Sequence, residues 1–218
     1  MGATRGRGPA TVVVLAAAVV LVVGGVLFYR YLTRPDGPDT LIVGDSVTYL
    51  SAGYIDRAVG HGTFGLIAEP GYRSVDLLGP MRAWMGRKTG AGGRLHRVAL
   101  LVGYNDVLRN TEGSPSLPPM VRESSKFDCA VWLELPARPG GNPSNNPKFP
   151  SDRVDLWNRR LRAEAADHPN VHVASDWKDA VERNRSVPLV IPDDVHPSIP
   201  GRRRLADAYR AALERTCP

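Results

Sequence analysis

The sequence predicts an α/β fold, a three-layer α/β/α sandwich around a central, mostly parallel sheet. Two observations carry this. Short, wholly apolar runs recur along the chain between Gly, Pro and polar clusters, as in strands buried on both faces. Between them lie longer segments whose apolar residues return every three or four positions, the period of an amphipathic helix. Alternation of the two argues for parallel strands joined by helical crossovers. In such sheets ligands bind beyond the carboxyl ends of the strands.

Thr40-Leu41-Ile42-Val43 predicts a buried first strand, ended by Gly44-Asp45-Ser46 and followed by a helix over 47–59. A second strand is predicted over 64–68, then Pro70-Gly71 and a helix over 74–85 with Ser74 as candidate N-cap. Residues 86–93 read as a Gly-rich loop. The run at 97–102 is the next strand, ending in Gly103-Tyr104-Asn105-Asp106. Residues 115–126 read as partly helical, and 130–135 as another buried strand. A Pro/Gly/Asn stretch over 136–150 has no periodicity; so long a loop inside a compact domain usually serves as a functional wall or lid. Val154, Trp157, Leu161 and Ala165 share one face of a helix over 151–167. A short strand over 170–174, a helix over 176–183 and a loop over 189–197 follow. Leu205, Tyr209 and Leu213 mark the inner face of a final helix over 200–216.

Hydrophobic residues make up 43% of the 218-residue chain and charged ones 23%, which places it among ordinary globular proteins. The net charge of +6 does not mark a nucleic-acid binder. Arg5, Arg7, Arg30 and Arg34 lie in the first 34 residues with no acid among them, so the remainder is nearly balanced. Arg202, Arg203 and Arg204 read as a solvated helix face.

The uncharged run at 11–29 would form about 28 Å of helix against a hydrocarbon core of about 30 Å. A cleaved signal peptide and a single-pass membrane anchor both fit residues 1–32. Val26 to Tyr29 continue the apolar run past the candidate cut after Gly25, which favours the anchor. Either reading exports the domain at 40–218, behind a Pro/Gly linker at 33–39. The abundance of Arg over Lys, with much Ala and Gly, points loosely to a GC-rich bacterial source. Cys129 and Cys217 suit a single disulfide in an exported protein, against the alternative of two unpaired thiols. Neither has metal-ligand spacing, so no metal is expected.

Three polar patches fall where this architecture places a site: Gly44-Asp45-Ser46, Gly103-Tyr104-Asn105-Asp106 and Asp193-Asp194-Val195-His196. A serine hydroxyl attacks only when a base removes its proton. Ser46 after a tight turn is the candidate nucleophile and His196 the candidate base. An aspartate three residues before the histidine, Asp193, can reach the ring and fix its tautomer, with Asp194 as rival. Asp45, Tyr104 and Asp106 read as turn and loop formers. Ser46 acting only as an N-cap is the bland alternative. His61, His96, His168 and His172 read as surface or loop residues, and Trp84, Trp132, Trp157 and Trp177 as core or half-buried.

The blocks resemble those of the SGNH (GDSL-like) hydrolases: G-D-S near the N-terminus, a glycine in an intermediate block, G-x-N-D in the middle and D-x-x-H near the C-terminus. The resemblance runs from residue 40 to about 213. It implies a flavodoxin-like SGNH hydrolase fold with Ser46, His196 and Asp193 as catalytic triad. It also implies an oxyanion hole formed by the N–H groups of Ser46 and Gly71 and the side-chain amide of Asn105; Gly65 is the weaker alternative to Gly71. The first and last blocks are similar to extracellular SGNH domains of enzymes that modify O-acetyl groups on cell-wall sugars. The expected activity is therefore that of a serine esterase or acyltransferase on an ester-bearing glycan, lipid or small molecule outside the cytoplasm. Residues 11–29 are the expected membrane contact, and neither nucleic acid nor any cofactor is expected. The single apolar segment leaves the multi-pass acyl-donor domain of those proteins without a counterpart here. A non-catalytic glycan-binding or assembly module is the alternative. A nucleotide-binding domain is disfavoured, because no G-x-G-x-x-G follows the first strand.

Overall fold

The computed structural model describes residues 39–60, 64–85, 95–111 and 115–217. The predicted segments at 1–32 and 86–93, most of the linker at 33–39, and His61 lie outside these residues. Strands β1 (Thr40–Gly44), β2 (Phe64–Ala68), β3 (Arg97–Leu101), β4 (Cys129–Leu133) and β5 (Val171–Ala174) form one sheet in the order β2-β1-β3-β4-β5. Every pairing is parallel. This is the flavodoxin-like order, in which the chain reverses direction across the sheet between β1 and β3.

Both faces are covered, which is why β1 is buried along its whole length. One layer holds α1 (Ser46–Val59), α7 (Ile199–Thr216) and α6 (Asp176–Arg183), with α1 packed on α7 and α7 on α6. The other holds α2 (Ser74–Met85), α4 (Leu117–Ser124) and α5 (Ser151–Ala165), with α2 packed on α4 and α4 on α5. The predicted inner faces are the buried ones: Val154, Trp157, Leu161 and Ala165 on α5, and Leu205, Tyr209 and Leu213 on α7. Trp132, Trp157 and Trp177 are wholly buried and Trp84 packs at the edge of the core. Among the described residues no helix is long and apolar enough to cross a membrane.

The structure departs from the sequence expectations in three places. The strand predicted over 130–135 ends at Leu133, because the Asn158 side chain takes both backbone groups of Leu135. Residues 104–108 form a short helix, α3 (Tyr104–Leu108), rather than a loop. Ser74 does not cap α2; its N–H and hydroxyl both donate to the carboxylate of Asp106.

A disulfide joins Cys129, which opens β4, to Cys217, which follows α7. It closes a span of 88 residues, for which loop entropy sets an upper bound of roughly 4–5 kcal/mol.

The turn from β1 into α1 has no spare room. A Cβ at Gly44 would lie 2.0 Å from Thr48 Oγ1 and 2.4 Å from its Cβ. Gly44→Ala should therefore lower the free energy of urea unfolding by roughly 1–3 kcal/mol, the usual cost of overpacking. A variant as stable as the parent would show that the turn yields freely.

Candidate active site

Parallel strands expose their last residues at one edge of the sheet, and the reversal between β1 and β3 leaves a crevice there. Ser46 follows β1 and Asn105 follows β3 by four residues. Asp45, not Ser46, is the N-cap of α1: its Oδ1 accepts from the Val47 N–H at 3.1 Å. Ser46 is thus the first residue of the helix, with its hydroxyl free for another partner.

That partner is His196. Ser46 Oγ lies 3.0 Å from His196 Nε2, and His196 Nδ1 lies 2.7 Å from Asp193 Oδ2. An ionised carboxylate only accepts, so the Nδ1 proton faces Asp193 and the Nε2 lone pair faces the serine hydroxyl. The other oxygen, Asp193 Oδ1, accepts from the Val195 and His196 N–H groups, both at 2.9 Å. Burial pushes the Asp193 pKa up, but the hydrogen bonds from the His196 ring and these two N–H groups outweigh it and hold the pKa below the usual carboxylate range. The carboxylate therefore stays charged at neutral pH.

The loop carrying these residues is short of regular structure but closed on itself. Val190 bridges to Pro197, the Ile191 N–H donates to the His196 carbonyl, and the Ser198 N–H donates to the Leu189 carbonyl. Ser198 then caps α7 by accepting from the Gly201 N–H. Asp194, the rival orienter, makes its contacts elsewhere: its Oδ2 accepts from Ser144 Oγ and the Asn145 N–H.

The two further predicted donors lie on adjoining elements. Asn105 Nδ2 donates to the Tyr72 carbonyl at 3.0 Å, and Arg109 Nη2 donates to the Gly71 carbonyl at 3.0 Å. Gly71 has φ +81, in the left-handed region open to glycine. Gly65 lies within β2, where a Cβ would strike the Trp84 ring at 2.7 Å, so its constraint is packing. With Ser74 bonded to Asp106, the segment 71–74 is fastened to α3 and Arg109 at four points. Sequence reasoning recognised Asp106 as a loop former but not its partner; Arg109 carries no local signal, because its bond spans 38 residues.

His96, His168 and His172 lie at or near the surface, away from this constellation; His96 pairs with Asp128. Among the described residues no cluster of His, Cys, Asp and Glu is suited to hold a metal ion.

No protein-family model matches the chain, and no curated protein matches it. Solved structures do. A member of the lipolytic protein G-D-S-L family from Veillonella parvula superposes with a TM-score of 0.63 at 18% identity, over 81% of this chain and 98% of that one. The C-terminal catalytic domain of Streptococcus pneumoniae peptidoglycan O-acetyltransferase A gives 0.58 at 16% identity, over 83% and 94%. An acetyl xylan esterase from Geobacillus stearothermophilus gives 0.56 at 17% identity, over 81% and 95%. The chain thus has the α/β/α fold that these three proteins share.

Asp45 is the second unusual carboxylate. It is fully buried, and its Oδ2 has no hydrogen-bond partner. Burial raises its pKa to about 7; the Val47 N–H opposes this and the Asp106 charge adds to it. The folded protein therefore keeps a proton that the unfolded chain releases above pH 4, so this group lowers stability as pH rises from about 4 to about 7, and no further above that. Asp45→Asn removes the titration. Its stability relative to the parent should grow between pH 4.5 and pH 8 by about 3 kcal/mol in urea unfolding. A constant difference across that range would show that Asp45 is ionised throughout.

Proposed function

We propose that the protein is a serine esterase acting through Ser46, His196 and Asp193 on small acyl esters carried by a glycan outside the cytoplasm. The observation that carries this is the continuous chain of contacts from Ser46 Oγ through both ring nitrogens of His196 to Asp193. Nothing in packing requires a serine, a histidine and a charged aspartate to be aligned at a half-exposed crevice.

In this reading His196 Nε2 takes the Ser46 proton as Oγ bonds to the acyl carbon. The negative charge on the carbonyl oxygen faces the N–H groups of Ser46 and Gly71 and the Asn105 amide. Asn105 keeps a second N–H beside the one given to Tyr72. The ester C–O bond then breaks, and His196 returns the proton to the departing alcohol. Water attacks the acyl-Ser46, with His196 again removing a proton and returning it to Ser46 Oγ. An acceptor hydroxyl in place of water would make the same steps a transfer.

The glycan is supported by access. The His196 side chain is 34% exposed; Tyr49, three residues after Ser46 on α1, and Tyr72, next to Gly71, are 53% and 40% exposed. An open site flanked by tyrosines suits a sugar polymer better than a buried acyl chain. Two of the structural neighbours are named for acetyl groups on peptidoglycan and xylan. The disulfide and the apolar run at 11–29 support a place outside the cytoplasm.

A fluorophosphonate probe should label the parent protein and fail to label Ser46→Ala. Hydrolysis of p-nitrophenyl acetate should be lost in His196→Ala and fall by about two to three orders of magnitude in kcat in Asn105→Ala. A folded parent that is neither labelled nor active would overturn the reading and favour a glycan-binding module.

A further inference from the structure

The loop at 136–150 does more than line a cavity, as Pro139, Gly140 and Asn142 do together with Ile191, Pro192 and Asp194. Its middle is fastened to the loop that carries Asp193 and His196. Asn146 Nδ2 donates to the Asp193 carbonyl at 2.7 Å. Ser144 Oγ and the Asn145 N–H donate to Asp194 Oδ2 at 3.1 and 2.7 Å. Asp194 has φ +59, a left-handed conformation uncommon outside glycine, though aspartate and asparagine enter it more readily than other residues. Such a conformation persists only where surrounding contacts impose it.

The same loop is tied down on its other side. The Ser144 N–H donates to Ser151 Oγ, which donates to the Ala137 carbonyl, so the ends of the loop are closed on each other. Three residues after Asn146, the wholly buried Phe149 stacks on Tyr104, with ring centroids 5.3 Å apart. Tyr104 precedes Asn105 in α3, and its hydroxyl accepts from Trp177 Nε1. A six-residue segment of one loop therefore touches both halves of the candidate site: the aspartate–histidine loop through 144–146, and the asparagine helix through Phe149.

We infer that the segment 144–149 is a fixed strap that sets the position of the Asp193–His196 loop, with Asn146 and Asp194 as positioning residues. The inference rests on the reading of Asp193 and His196 as catalytic groups. Asn146 holds the Asp193 peptide, from whose Cα the carboxylate projects to the ring. Asp194, the next residue of the same turn, is tied through its Oδ2 to Ser144 and Asn145. Neither side chain touches the serine or the imidazole, so both act through Asp193. Fixing such a group matters because a misplacement of about 1 Å can cost around a hundredfold in rate.

Three variants test this: Asn146→Ala, Asp194→Asn and Asp194→Gly. Each is measured by p-nitrophenyl acetate kinetics, thermal melting and hydrogen–deuterium exchange. Asn146→Ala should lower kcat by about ten- to a hundredfold with KM unchanged. Exchange should quicken at Val195 and His196, whose N–H groups Asp193 accepts, while the sheet exchanges as in the parent and the melting point stays within a few degrees. Asp194→Asn keeps an acceptor oxygen and tolerates the left-handed conformation, so it should stay within a few-fold of the parent. Asp194→Gly keeps only the conformation and should resemble Asn146→Ala. Parental kcat and exchange in Asn146→Ala, or parental behaviour in Asp194→Gly, would overturn the strap; so would a rise in KM alone. Should the parent prove inactive, the esterase reading fails, and exchange at 195–196 still decides whether the strap holds the loop.

Discussion

The contact between Ser46 and His196 joins residues 150 apart in the chain, and the rest of the molecule is arranged so that it can form. The serine side is rigid by construction. Its backbone lies between a fully buried strand and the first turn of a packed helix, capped by Asp45. The histidine side has no such support, since 189–198 is neither strand nor helix. Its geometry comes from hydrogen bonds that close the loop on itself, and from α7, which begins directly after it. A hydroxyl at the start of α1 thus meets an imidazole three residues before α7, which packs on α1.

Three carboxylates around this contact show how burial and donors compete. Asp193 is about a third exposed and receives three hydrogen bonds, so donors win and its pKa falls. Asp106 is almost wholly buried and receives the N–H and hydroxyl of Ser74, yet burial still wins and its pKa rises. Asp45 is wholly buried with one oxygen unpartnered, and burial wins by the largest margin. The charge beside the histidine sits where solvent and donors sustain it. The two carboxylates that fasten backbone are placed deeper, where their value lies in geometry and their desolvation is a standing cost.

Much of this was legible in the sequence because the signals are local. The apolar runs locate the strands, the helical period selects the buried faces of α5 and α7, and three short polar blocks contain the residues of the candidate site. The spacing Asp193-x-x-His196 is itself local, and its two members touch. Other features depend on partners far along the chain. Asn158 truncates β4 from 23 residues away, Asp106 takes the first N–H of α2 from 32 residues away, and Asn146 meets Asp193 across 47. Asn, Ser and Asp are common in any loop, so composition reports their presence at 136–150 and nothing of whom they bond.

An aperiodic segment can still be as fixed as a helix, provided its backbone and polar side chains are paired. Between 144 and 151, Ser144 donates and accepts, Asn146 uses both its amide nitrogen and its oxygen, and Ser151 links one end of the loop to the other. Phe149, whose N–H donates to the Asn146 carbonyl, adds an apolar anchor. The conformational entropy of ordering such a loop is on the order of 1–2 kcal/mol per residue, more than a few net hydrogen bonds offset alone. The loop is therefore held because its bonds are cooperative with elements already ordered: the β4 end through Ala137, the core through Phe149, and the loop before α7 through Asp193 and Asp194. Order flows from the sheet outward, and the Asp193–His196 loop is held at the far end of that sequence, on a strap whose own footing is the buried core.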